Sequence, residues 1–252
     1  MKKVDENVRL WTSEQRDELI SSAVKNLPKS KAKVAFDVAQ KYITKPEIFQ
    51  RKIREIFFPS GNGLVKKAEG VYPESLLEFH DGWVEFYKNF GITIDLNDFP
   101  LPKNIILEPE QNYWSIVVPD MNPQKAFELR KLITSVYEYT SVSKIIDVYP
   151  RIKVSVIKAN LDAKVEYPNV SLNKSMELGL LGTTFTEGCL IDGRVFKDSG
   201  VHLDVSGWTL HTGSRNSDGD VPHSYWDNDR FYVYSCNPYY ADPDLSLRQK
   251  QF

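Results

Sequence analysis

The side chains best suited to covalent or acid–base chemistry are few and scattered. Cys189 and Cys236 are the only thiols in 252 residues, and neither has a base visibly paired with it in sequence. A thiol needs such a partner, or a nearby cation, to become a nucleophile at neutral pH. The two thiols also lack the spacing of a zinc site, and a single bridge would be too little for a disulfide framework. His80 with Asp81 and Glu85 is the nearest approach to an acid–base cluster. Adjacent polar residues in an otherwise aromatic helix read instead as its solvated face. His202 and His211 have no evident carboxylate partner and read as structural. No nucleophile elbow, metal-binding His-Glu-x-x-His helix, phosphate loop or dinucleotide fingerprint occurs. No catalytic residue, metal or cofactor is expected.

Residues 216–246 carry a different chemistry. They contain no Lys, Glu, Gln or Met, types that make up roughly a fifth of the chain and should supply about six residues in such a stretch. In their place stand Asn216, His223, Tyr225, Asp227, Asn228, Asp229, Tyr232, Tyr234, Cys236, Asn237, Tyr239, Tyr240, Asp242 and Asp244. Tyr gives large rigid contact area at small rotamer cost, while Asn, Ser and Asp adapt their hydrogen bonds, the vocabulary of a binding surface. Alternation through Phe231-Tyr232-Val233-Tyr234 puts Phe231 and Val233 on a core face and both tyrosines on the other. Propensity for β structure accounts for Tyr in a strand but not for the missing Lys and Glu.

The elements that must hold this surface are only partly legible. Over 12–58, apolar residues recur at helical spacing, with Thr12 and Gln15 forming a capping box and Pro59 to Gly63 breaking the pattern. Pro73 and Glu74 open an aromatic helix through Trp83 and Tyr87, ending at Gly91. Strands fit 113–118, 144–148 and 152–157, and a helix fits Pro123 to about Tyr139. From Leu178 glycines recur at turn-like intervals, so Gly188 to Phe196, Val201 to Val205 and Trp208 to Leu210 read as strands. The class is α+β: a helical N-terminal scaffold or adaptor over 1–110, then a second domain over 111–252.

A formal net charge of −2 argues against nucleic acid as a partner. No apolar run is long enough to span a bilayer and no hydrophobic signal core follows Met1. The expectation is a cytoplasmic protein, or one associated with a virion or cell surface.

Several segments resemble the variable proteins of diversity-generating retroelements, which end in a C-type lectin-like domain. The likeness covers about the last seventy residues and rests on His202-Leu203-Asp204, Thr209-Leu210, Gly213-Ser214-Arg215, Ser217 to Pro222, Trp226 and Leu247-Arg248. It implies small twisted antiparallel sheets within 111–252 and a fixed frame of Trp208, Gly213, Arg215, Gly219, Val221, Pro222, Trp226, Phe231, Val233, Leu247 and Arg248. The residues singled out above in 216–246 would then be the variable, ligand-binding positions, with a protein or glycan as the macromolecular ligand. In that family a reverse transcriptase miscopies adenines. Randomising the first two bases of an AAC-type codon never yields Lys, Glu, Gln, Met or Trp, which matches the gap in this tail once Trp226 is assigned to the frame. Trp226 would be buried under the site. Two rival readings follow from related folds: a calcium-dependent lectin using oxygen ligands around Asn216 to Asp220 and Asp227-Asn228, and a cysteine-dependent enzyme similar to the oxidases that generate formylglycine. Ser217-Asp218-Gly219 reads more simply as a turn.

Overall fold

The structure is a computed structural model that describes residues 72–251, apart from 104, 106, 109, 150 and 151. These residues lie in one compact unit, Lys67–Phe252, and the helices expected over 12–58 lie outside the described residues.

The unit is organised around one buried helix. This is α5 (Phe185–Ser199), following α1 (Glu74–Asp81), α2 (Trp83–Lys88), α3 (Pro123–Lys131) and α4 (Leu172–Glu177). Thr184 caps α5 through the Glu187 N–H while the Glu187 side chain accepts from the Thr184 N–H, a complete capping box, and Gly200 ends the helix at φ +71°. Residues 185–195 are all buried, so α5 has no polar stripe for a helical period to reveal. That corrects the strand expected over Gly188 to Phe196. Gly188 is no turn: a Cβ there would lie 2.1 Å from the His211 ring, so glycine lets helix and loop approach closely. The strand expected over Val201 to Val205 is also absent, since His202, Leu203 and Asp204 are an irregular buried segment held by side chains.

A three-stranded antiparallel sheet in the order β1-β4-β11 covers one flank, built from β1 (Tyr113–Val117), β4 (Val154–Lys158) and β11 (Lys250–Gln251). Its β1 edge is closed by the α1–α2 pair. Trp83 Nε1 donates to the Ser115 carbonyl at 2.9 Å, Tyr87 OH donates to the Val117 carbonyl at 2.6 Å, and His80 Nδ1 meets Ser115 Oγ at 3.1 Å. His80 is therefore buried and not part of a solvated face, whereas Asp81 and Glu85 are exposed. The expected single helix is two, meeting at Gly82, where Arg194 packs closely: its Nη1 donates to the Gly82 carbonyl at 2.9 Å, and its Nη2 would lie 2.1 Å from a Cβ there. Residues 74–88 thus share the core of the strands that follow 111, and the compact unit begins upstream of that position.

The larger sheet is mixed, in the order β2-β9-β8-β6-β10-β5. Its strands are β2 (Val136–Glu138), β5 (Tyr167–Pro168), β6 (Trp208–Leu210), β8 (Val221–Asp227), β9 (Arg230–Cys236) and β10 (Leu245–Leu247). β3 (Ile146–Asp147) pairs only with β7 (Ser214–Arg215). The helix expected from Pro123 to Tyr139 stops at Lys131, and its C-terminal part becomes β2, parallel to β9. The class is α+β with small antiparallel and mixed sheets. Among the described residues no helix is long and apolar enough to cross a membrane.

Candidate functional site

The two faces of the β8–β9 hairpin have opposite chemistry. Asn228 and Asp229 form a two-residue loop with φ of +44° and +63°, the positive pair that matches the twist of a hairpin and that short polar side chains tolerate. The register pairs Tyr225 with Tyr232, His223 with Tyr234, Trp226 with Phe231 and Ser224 with Val233. Side chains alternate across a strand, so the last two pairs point inward and the first two outward.

The inward face is anchored by buried charge and stacked rings. Phe231 and Val233 join the main core, and the Arg130 guanidinium lies 4.7 Å over the Phe231 ring. Arg130 Nε donates to Asp192 Oδ2 at 2.7 Å, and Asp192 Oδ1 accepts the Leu203 N–H at 2.9 Å. Burial pushes the Asp192 carboxyl up, but Arg130 and His202 outweigh it and hold the group below its ordinary value. Trp226 stacks on His202 at 3.4 Å, and His202 on Phe196 at 3.9 Å; Trp226, expected to be buried, is the half-buried outer member of this stack. Arg248 is fully buried, donating to Asp204 Oδ1 at 2.6 Å and to the Asn160 and Leu161 carbonyls. Beneath β8, His211 Nε2 and Ser224 Oγ are 2.8 Å apart, and burial lowers the His211 pKa to about 3. Isolated buried charges would be costly, and here each has a partner.

The outward face is a continuous aromatic platform across β6, β8, β9 and β2. Tyr225 stacks on Tyr232 at 5.1 Å, Tyr232 meets Tyr137 at 5.4 Å, and Tyr139 stacks on Tyr234 at 4.4 Å. Trp208 continues it on the far side, 5.5 Å from both His223 and Tyr225. The exposed fraction rises toward β2, to 41% at Tyr137 and 66% at Tyr139. Tyr137 and Tyr139 were not among the sequence-predicted site residues, because the helix expected there hid them. The signal that could have found them is the Tyr-x-Tyr alternation that they share with 232 and 234.

The remaining predicted positions divide by burial. Asp227, Asn228 and Asp229 form the exposed hairpin tip. Asn237, Tyr239, Tyr240, Asp242 and Asp244 lie on the β9–β10 loop, where Tyr240 OH donates to Asp242 Oδ2 at 3.0 Å and Lys164 pairs with Asp244. Two positions are interior. Asn216 is 8% exposed and its Oδ1 accepts the N–H groups of Asp218 and Asp220, both at 2.9 Å, fixing a turn with Gly219 at φ +87°. His223 is 6% exposed between Trp208 and Tyr234 rings, and burial lowers its pKa to about 4. Cys236 is half-buried, its thiol pushed up to about 12 by burial and then by Asp220, and buried Cys189 is also pushed up.

Of the predicted frame, Val221, Pro222, Phe231, Val233, Leu247 and Arg248 are buried. Val221 lies on the outward face of β8, where Leu172, Leu210 and Leu245 cover it in a small second core. Gly213 is packed against Thr184 and Tyr149, and Arg215 Nη1 donates to the Thr212 carbonyl at 2.9 Å. One end of the sheet's outer face is therefore roofed and the other open. Among the described residues no group of three His, Cys, Asp or Glu side chains converges as a metal site would need. Compared with protein-family models, with curated proteins and with solved structures, the chain shows no match.

Proposed function

We propose that this chain is a non-enzymatic ligand-binding protein of the diversity-generating retroelement type, with a C-type lectin-like domain whose tail displays a variable contact surface. The observation that carries the reading is the separation of roles within one hairpin. Tyrosines, Asn and Asp occupy the open face and the loops, where Lys, Glu, Gln and Met are missing over 216–246, while stability rests on Phe231, Val233 and the buried ion pairs behind them. Positions whose side chains support nothing else can change without unfolding the domain. The ligand is a macromolecule, protein or glycan, because the face is broad and shallow where a small-molecule site would be concave. The cysteine-enzyme reading has less support, since both thiols are held away from the reactive thiolate. The calcium-lectin reading loses the Asn216 oxygen, which is engaged by two backbone N–H groups.

The test is the DNA beside the gene. A near-copy of the 3′ end next to a reverse-transcriptase gene, differing from it chiefly where the copy has adenine, is the expected result. A complete flanking sequence with no such copy would leave only a fixed binding module.

A further inference from the structure

We infer that the platform takes a cationic protein segment, one that presents Arg or Lys side chains to the tyrosine faces, and that Tyr137 of β2 and Tyr139, the residue after that strand, are part of the contact surface. The inference rests on the binding-face reading and specifies the chemistry of what is bound.

Three observations point the same way. First, β2 and the residue after it add two rings to the C-terminal strands, and these are the most open part of the platform, with Tyr139 stacked on Tyr234 at 4.4 Å and 66% exposed. Such rings present a negative π-face to the solvent, which attracts ammonium and guanidinium groups. Second, the protein's own cations are engaged elsewhere. Arg130, Arg194, Lys131, Lys153, Lys197 and Lys250 lie over other rings, and among the described residues none lies over a platform ring. Third, the segment that supplies strands β8 and β9 and their loops is acidic. Residues 216–246 hold six aspartates and one arginine, a formal −5 in a chain of −2. Asp227 follows Tyr225 by two residues on the same face of β8, and Asp242 Oδ2 accepts from the Tyr240 OH at 3.0 Å on the β9–β10 loop. Arg230, across from Asp227 in the register, is the counter-charge at the tip, and Lys164 occupies Asp244.

A neutral glycan would stack on the same rings and donate hydroxyl hydrogen bonds to the aspartates but would gain no charge attraction from them, and an acidic partner would be repelled by them. An Arg side chain gains from both, its guanidinium plane on a ring and its N–H groups toward a carboxylate.

The experiment titrates the full chain, carrying ¹³C-labelled tyrosine rings, with an Arg-Gly repeat peptide, a Glu-Gly repeat peptide of equal length and a neutral gluco-oligosaccharide. The basic peptide should shift the resonances of Tyr137, Tyr139, Tyr232 and Tyr234 and bind more weakly as salt is raised. Tyr137→Ala with Tyr139→Ala should weaken it roughly tenfold. Asp227→Asn with Asp229→Asn, at the exposed tip where folding is not at stake, should weaken it and flatten the salt dependence. Platform shifts from the oligosaccharide or the acidic peptide, with none from the basic one, would overturn the cationic assignment and leave the binding face standing. Silence of these rings toward all three would overturn the inference. A selection from an unbiased peptide and glycan library that then yields no tyrosine-dependent binder would remove the binding-face reading as well.

Discussion

Phe231→Ala and Tyr139→Ala should differ several-fold in their cost to stability, though both remove an aromatic ring from the same sheet. Phe231 is 3% exposed in the main core, with the Arg130 guanidinium 4.7 Å over its ring. Its truncation forfeits buried area and leaves a cavity beside a buried ion pair, about 3–5 kcal/mol. Tyr139→Ala loses an exposed stack on Tyr234 and a tilted contact with Tyr137, together about 0.5–1 kcal/mol. Its backbone stays in place because its N–H still donates to the Val233 carbonyl at 2.9 Å. With a urea m-value of about 2–3 kcal/mol/M, the midpoint should fall by more than about 1 M for Phe231→Ala and by less than about 0.5 M for Tyr139→Ala. Equilibrium urea unfolding followed by near-ultraviolet circular dichroism reads both. Equal shifts would mean that the tyrosines carry the fold, and the division between frame and contact surface would fail.

Asn216→Ala should cost about 1–2 kcal/mol, because the Asp218 and Asp220 N–H groups lose their common acceptor; a thermal midpoint within error of the parent would refute this. Gly188→Ala should destabilise by about 1–3 kcal/mol or prevent folding, since its methyl would meet the His211 ring at 2.1 Å, and an unchanged urea midpoint would contradict the packing described. His211 and His223 have folded pKa values lowered to about 3 and about 4 against about 6.5 in an unfolded chain. The unfolded state therefore binds more protons as pH falls below about 6.5, and stability contributed by the neutral imidazoles is lost progressively down to the folded values. In His211→Gln the dependence of unfolding free energy on pH between about 6.5 and 4 should be flatter than in the parent; parallel curves would show that His211 is not held neutral.

The tail was readable because two physical signals coincide there. The missing Lys, Glu, Gln and Met marked the segment, and period-two alternation separated the buried Phe231 and Val233 from the half-buried Tyr232 and Tyr234; the hairpin register comes from the structure. Strands β1 and β4 were legible from apolar runs, with ends displaced by a residue or two at most. Helix α5 was not, since a helix buried on all sides shows no stripe, and glycines at 188 and 193 resemble turns when their close neighbours are distant in sequence. β2 was missed because it is only three residues long and lies parallel to a strand almost a hundred positions away. The roof over Val221, and the hydrogen bond from Asn216 Nδ2 to Ser235 Oγ at 3.1 Å that ties Asn216 to β9, depend on contacts between residues distant in sequence. Alternation can say which side a residue takes, but not whether another element covers that side.

The central claim is that ligand contacts and fold are borne by different side chains. Sequencing the 3′ end of this gene from many members of its source population tests it most directly. Substitutions should concentrate at the codons of Tyr225, Asp227, Asn228, Asp229, Tyr232, Tyr234, Tyr239 and Tyr240, without Lys, Glu, Gln or Met among the replacements, and should be scarcer at the buried positions Asn216 and His223. Val221, Trp226, Phe231 and Val233 should stay constant. Substitutions spread evenly over both faces of β8 and β9, or a tail that does not vary at all, would contradict it.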